Sequence, residues 1–182
     1  PMGIVPIDHD GDGRLAYFMT NTFADVLFAD APGGGFTDIA PAVGLTLKPP
    51  TARRTPVSWS ALARDLDRDG DDDLLVTRGV VIDSREPGRN VLFLNREGRF
   101  APGLPGSGFD REGPWSALAA ADFDGDGDDD LVLGAQTLYL RRCDEFSRPA
   151  LLLHNDLATA GMHWLRVRLT GTVSNQIGRA HV

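Results

Sequence analysis

The stretch Asp65-Leu-Asp-Arg-Asp-Gly-Asp-Asp-Asp73 decides how this chain is read. It recurs as Asp122-Phe-Asp-Gly-Asp-Gly-Asp-Asp-Asp130 and, in shorter form, as Asp8-His-Asp-Gly-Asp-Gly13. Each copy opens D-x-D-x-D-G, and the leading aspartates Asp8, Asp65 and Asp122 are 57 residues apart in both intervals. One such loop is within reach of chance. Three in phase indicate a repeat whose unit carries a cation site.

The flanks repeat as well. A short apolar run follows each loop: Leu15-Ala-Tyr-Phe-Met19, Leu74-Leu-Val76 and Leu131-Val-Leu133. Runs of this length between Gly and Asp predict strands. A second strand and a Gly turn come next, as Asp25-Val-Leu-Phe-Ala29 with Gly33-Gly-Gly-Phe36, and as Asn90-Val-Leu-Phe-Leu-Asn95 with Glu97-Gly-Arg-Phe100. The third unit keeps an echo, Ala150-Leu-Leu-Leu-His-Asn155. Trp59-Ser-Ala-Leu-Ala63 and Trp115-Ser-Ala-Leu-Ala119 precede the later loops, the tryptophan standing six residues before Asp65 but seven before Asp122. A β-bulge is expected to absorb the extra residue. Four short strands per period indicate a propeller blade, so the fold expected is all-β, a partial β-propeller of about three four-stranded blades. Propellers close with about four to eight blades. The chain is therefore expected to be part of a longer one, its remaining blades covering edges that three blades leave open.

Alternate carboxylates in a tight turn converge on one point, which is why the loops are read as cation sites. Oxygen donors in this number suit Ca²⁺. An EF-hand loop would need an acid at its twelfth position, where Met19, Val76 and Leu133 stand; the acid is instead at the ninth, followed by a strand. The expected ligands of the second site are the side chains of Asp65, Asp67, Asp69 and Asp73 and the carbonyl of Asp71. Those of the third are Asp122, Asp124, Asp126 and Asp130 with the carbonyl of Asp128. The first has Asp8, Asp10 and Asp12 with the carbonyl of Arg14, but its ninth position is Ala16, so it is expected to be weaker or empty. Asp72 and Asp129 are expected to face outward.

Composition agrees. The 182 residues carry a net charge of -8, yet 15 of the 26 acids lie in the three loops, leaving 11 acids against 18 basic residues elsewhere. The chain is thus a mildly basic scaffold holding three anionic pockets. No apolar run is long enough to span a membrane. The single cysteine, Cys143, excludes an internal disulfide framework and is read as a buried small residue. No G-x-S-x-G, H-E-x-x-H or Walker loop is present, so no enzyme is expected. His9 is read as a solvated loop residue, and His154 and His163 as packing or edge residues. Trp59, Trp115 and Trp164 are read as core rather than as a glycan groove. Arg53-Arg54 and Arg141-Arg142 are too short for a nucleic-acid patch.

The D-x-D-x-D-G-x-x-D loop, its strand and the N-x-L-F-x-N-x-x-G-x-F element resemble FG-GAP/VCBS repeats, the blades of integrin-α-like propellers, over roughly residues 4 to 156. His163-Trp-Leu-Arg-Val-Arg-Leu-Thr-Gly-Thr-Val-Ser-Asn175 resembles the start of the ASPIC/UnbV segment of the cartilage acidic protein family. The resemblance implies propeller blades over residues 1–156 and the start of a C-terminal β module over 157–176. Residues 177–182, Ile177-Gly-Arg-Ala-His-Val182, coincide with one reading frame of a common sequencing adapter and are expected to be read-through, so His181 is given no role. The function expected is that of an extracellular, non-catalytic Ca²⁺-binding interaction or adhesion module with a protein or glycan ligand. The alternative is the accessory propeller of a secreted enzyme acting on polysaccharide or lipid.

Overall fold

The computed structural model describes residues 1–22, 24–46, 57–79, 88–136 and 150–156. Cys143, His163, Trp164, His181, both arginine pairs, the module expected over 157–176 and the terminal 177–182 lie outside the described residues.

The alternation of apolar and polar side chains produces strands, and the strands follow one another as antiparallel meanders. The first sheet runs β1 (Ile4–Ile7), β2 (Ala16–Met19), β3 (Val26–Asp30), β4 (Phe36–Asp38), in that spatial order. A single helical turn, α1 (Ala40–Val43), follows it. The second sheet starts with β5 (Val57–Arg64) and β6 (Asp73–Gly79). After the two-residue β7 (Gly88–Arg89) it continues with β8 (Val91–Arg96) and β9 (Arg99–Pro102), in the order β5-β6-β8-β9. β10 (Glu112–Gly113) pairs with β7 as a small ribbon. The third sheet is β11 (Trp115–Ala121), β12 (Asp130–Ala135) and β13 (Ala150–Leu153).

The sheets are blades stacked face to face. One core lies between the first and second, where Ile7, Ala16, Phe18 and Leu27 meet Ala63, Leu74, Val76 and Phe93. A second lies between the second and third, where Leu75 and Leu92 meet Phe109, Trp115, Leu131 and Leu133. The opening strands β1, β5 and β11 contact one another in succession, as the inner strands of a propeller do. The structure is thus an all-β partial propeller, with two four-stranded blades and a third showing three strands among the described residues.

Two details differ from expectation. Both inner strands are bulged, and at the same distance from their loops: Trp59 is skipped in the β5–β6 pairing and Ser116 in the β11–β12 pairing. The two tryptophans are therefore not equivalent. Trp59 occupies the bulge, whereas Trp115 sits one residue before it. The bulge belongs to the repeat and the extra residue does not. Each indole nevertheless covers a glycine. A side-chain carbon on Gly79 would come within 2.9 Å of the Trp59 Nε1, and one on Gly113 would collide with the Trp115 ring. The second detail is α1, which no period in the sequence announces. Its Ala40 and Val43 close the first core, and Gly44 ends it in the left-handed conformation at φ 92°.

Candidate functional site

The three acidic loops join the first and second strands of their blades, so the fold sets them in a row at one end of the stack. Each turns by the same chemistry. The carboxylate at the fifth position accepts the N–H of the seventh: Arg14 N to Asp12 at 2.8 Å, Asp71 N to Asp69 at 3.0 Å, Asp128 N to Asp126 at 2.9 Å. The sixth position is a left-handed glycine in all three, Gly13, Gly70 and Gly127. The fourth position is left-handed too, a requirement missed in the sequence: it is Gly11 and Gly125, but Arg68 at φ 59° in the second loop. A non-glycine residue there costs roughly 1 kcal/mol. The Arg68 guanidinium forms an ion pair with Asp128 of the next loop, and Arg64 reaches Asp129 at 2.9 Å. The second and third loops are thus strapped together by arginines, and Asp129 does not simply face solvent.

Carboxylate oxygens of Asp8, Asp10 and Asp12 converge within 4.8 Å of one another, as do those of Asp65, Asp67 and Asp73, and those of Asp122, Asp124 and Asp126. Asp69 does not join its cluster. Arg96, the last residue of β8, forms ion pairs with it and with Asp67, the latter at 2.6 Å. The Asp71 side chain is occupied by the N–H of Glu97 at 2.8 Å. A guanidinium therefore occupies part of the second cluster. Among the described residues, three carboxylate oxygens are buried with no hydrogen-bond partner; Asp128 Oδ1 has the Arg68 ion pair, while Asp8 Oδ1 and Asp67 Oδ1 have no ion pair of their own. Buried acceptors without donors are costly, and a cation would satisfy them.

The ninth-position acid has a role beyond its expected one. Asp73 is fully buried and accepts two backbone N–H groups, from Leu66 at 3.1 Å and Asn95 at 2.9 Å. Asp130 repeats both bonds, with Phe123 at 3.0 Å and Asn155 at 2.9 Å. Each acid latches its loop's second residue to the end of its blade's third described strand. The asparagine then reaches across to the preceding blade. Asn95 Nδ2 donates to the His9 carbonyl at 2.9 Å and Asn155 Nδ2 to the Leu66 carbonyl at 3.2 Å. One hydrogen-bonded line therefore runs Asp130, Asn155, Leu66, Asp73, Asn95, His9 through all three loops.

The first loop lacks the latch. Ala16 is in the register position of Asp73 and Asp130, opposite the residue preceding the loop. Asp30 stands where Asn95 and Asn155 do, by the pairing of Tyr17 with Phe28, Leu74 with Phe93 and Leu131 with Leu153. A cavity of 150 Å³ opens there among Asp10, Asp12, Ala16, Ala29 and Asp30.

The equivalent acids differ electrostatically. Burial, reinforced by Asp67 and Asp69, pushes Asp73 up to about 6 against two lowering N–H bonds. Asp130 is held below the ordinary carboxylate range, chiefly by the Asn155 N–H, with His154 helping. His154 is an edge residue, one of the two places expected for it: half-exposed after β13, it turns Nδ1 to 3.8 Å from Asp124 and 3.6 Å from Asp130. No signal in the chain marks His154 except its place next to the Asn155 shared by the repeat. His9, expected to be solvated, is instead largely buried, with its side chain 13% exposed.

Residues 65–133 match the FG-GAP-like repeat, a span from the first ligand position of the second loop to the strand after the third. No curated protein and no solved structure matches the chain.

Proposed function

We propose that this chain is the calcium-binding part of an extracellular β-propeller that serves as a non-catalytic interaction or adhesion module. The observation that carries the reading is the convergence of carboxylates in three in-phase loops, two of them holding a buried oxygen without a donor. The donors are all oxygen in the first two clusters, the chemistry that Ca²⁺ prefers. FG-GAP-like repeats are typical of extracellular interaction modules, and affinities on the order of 10⁻⁴–10⁻³ M suit that compartment. The ions would rigidify the loop row by neutralising Asp65, Asp67, Asp73 and their counterparts, leaving a protein or glycan ligand to bind elsewhere on the blades. The likeness of residues 163–175 to the start of an ASPIC/UnbV segment fits a propeller followed by a β module. No helix among the described residues is long and apolar enough to cross a membrane. Calorimetric titration of the chelator-treated chain tests the reading: Ca²⁺ uptake is expected at millimolar concentration or below, and its absence sinks the assignment.

A further inference from the structure

We propose that the two outer faces of the blade stack are the halves of one junction, and that the first blade of one copy of this chain docks head to tail on the third blade of a second copy.

Strand register names the occupant. Each internal junction buries one face of a blade against the opposite face of the blade before it. In the second blade the face toward the first carries Leu74, Phe93 and Phe100. By the pairings of β2, β3 and β4 against those of β6, β8 and β9, the same positions in the first blade are Tyr17, Phe28 and Phe36. Phe36 is 59% exposed where Phe100 is 5%, and Tyr17 is exposed where Leu74 is fully buried. Exposed Ile4 extends this face in the position of Ala61.

The third blade shows the converse. In the second blade the face toward the third carries Leu66, Leu75 and Leu92. The corresponding residues of the third blade are Phe123, Val132 and Leu152. Leu152 is 45% exposed where Leu92 is 5%, and Phe123 is exposed where Leu66 is buried. Exposed Ala119 and Ala121 continue the face. The two outer faces hold five of the seven large hydrophobics exposed among the described residues, so bare apolar surface is concentrated where a blade would stack.

The loop ends are matched as well. Between the second and third blades Arg64 pairs with Asp129 and Arg68 with Asp128. Between copies the same two pairs of positions hold Ala121 with Leu15, and Gly125 with Arg14. The first ion pair thus gives way to two apolar residues. In the second, exposed Arg14 would meet Asp124 and Asp126 on either side of Gly125. Both exchanges keep the contact complementary. Asp30 cannot donate as Asn95 does, so the clasp is missing and the junction between copies is weaker than those within one. A contact between two different faces is heterologous and closes into a ring if the rotation allows. Two copies supply six blades, within the four to eight or so at which propellers close.

Sedimentation velocity on the full chain over a concentration series tests the pairing. Wild type is expected to pass from one copy to two with a Kd on the order of 10⁻⁴ M or tighter. Phe36→Asp and Leu152→Asp, both at exposed positions, should each weaken that association at least about tenfold while keeping the wild-type urea midpoint. Ile4→Asp replaces Phe36→Asp if the latter unfolds. Mixed together, the two variants should form a 1:1 pair, because one retains the third-blade face and the other the first-blade face. A wild-type chain that stays single at that concentration overturns the proposal. So does loss of association in only one of the two variants, the mark of a contact between like faces, and so does failure of the mixed variants to pair.

Discussion

The second and third acidic loops carry the same nine-residue pattern, the same pair of latch bonds and the same bulge ahead of them, yet each cluster has a different neighbour. Arg96 lies across Asp67 and Asp69, while His154 lies beside Asp124 and Asp130. The first loop differs again, with Ala16 and Asp30 at the two latch positions. Repetition at the level of backbone hydrogen bonds thus coexists with divergence at the side chains around the cation. What the turn requires recurs in every copy, and what tunes the ion changes with each blade.

The sharpest way to break the comparison is to cut the clasp. Asn95 is fully buried and serves His9, Asp72 and Gly98 at once, whereas Asn155 is only half-buried and its bond to Leu66 is longer, at 3.2 Å. Asn95→Leu should cost about 3 kcal/mol and Asn155→Leu about 1 kcal/mol, as shifts in urea midpoint. Equal losses would mean that the two junctions are equivalent after all.

Rebuilding the missing latch probes the first loop. Ala16→Asp with Asp30→Asn restores both partners around the 150 Å³ cavity. Calorimetry should show at least about tenfold tighter Ca²⁺ uptake at this loop, or about 1.4 kcal/mol. Ala16→Asp alone should destabilise the cation-free chain, since it buries a carboxylate facing Asp30.

Acid titration separates Asp73 from Asp130. Asp73 is raised, so the folded chain binds its proton more tightly than the unfolded chain does. Without cation, stability should fall as pH rises from 3.8 to about 6, by on the order of 1 kcal/mol after screening. Asp130 is lowered, so its contribution is complete above its ordinary value and is lost as pH falls through the folded one. Asp73→Asn should remove the first trend and Asp130→Asn the second, in urea unfolding with chelator present.

The smallest effect belongs to Arg96→Ala. Its exposed ion pairs should change stability by under about 0.5 kcal/mol. With Asp67 and Asp69 released, Ca²⁺ uptake at the second loop should strengthen about threefold.

The blade pattern was legible because aspartate spacing, apolar runs and Gly turns act locally. The strands β2, β3, β6, β8 and β12 fall where those signals place them, and Ala16 stands out in the loop that carries it. The partners of the ninth-position acids were not legible, because Asn95 meets Asp73 from 22 residues away and His9 from 86. Arg96 and His154 escaped for the same reason: each reaches its carboxylates through a strand pairing, and sequence distance hides that. The left-handed fourth position was obscured by Arg68, whose side chain gives no hint of its backbone. The helix α1 spans four residues, too short for any period to emerge.

The asparagine clasp has a direction. The second and third blades both donate backward, so His9 waits for a residue synthesised 86 positions later and Leu66 for one 89 positions later. On a ribosome delivering about 5–20 residues per second, the first and second acidic loops each stay unsealed for several seconds after they emerge. Completion therefore travels from the amino end toward the carboxyl end, one blade behind synthesis, and gives the growing chain a clock as well as a shape.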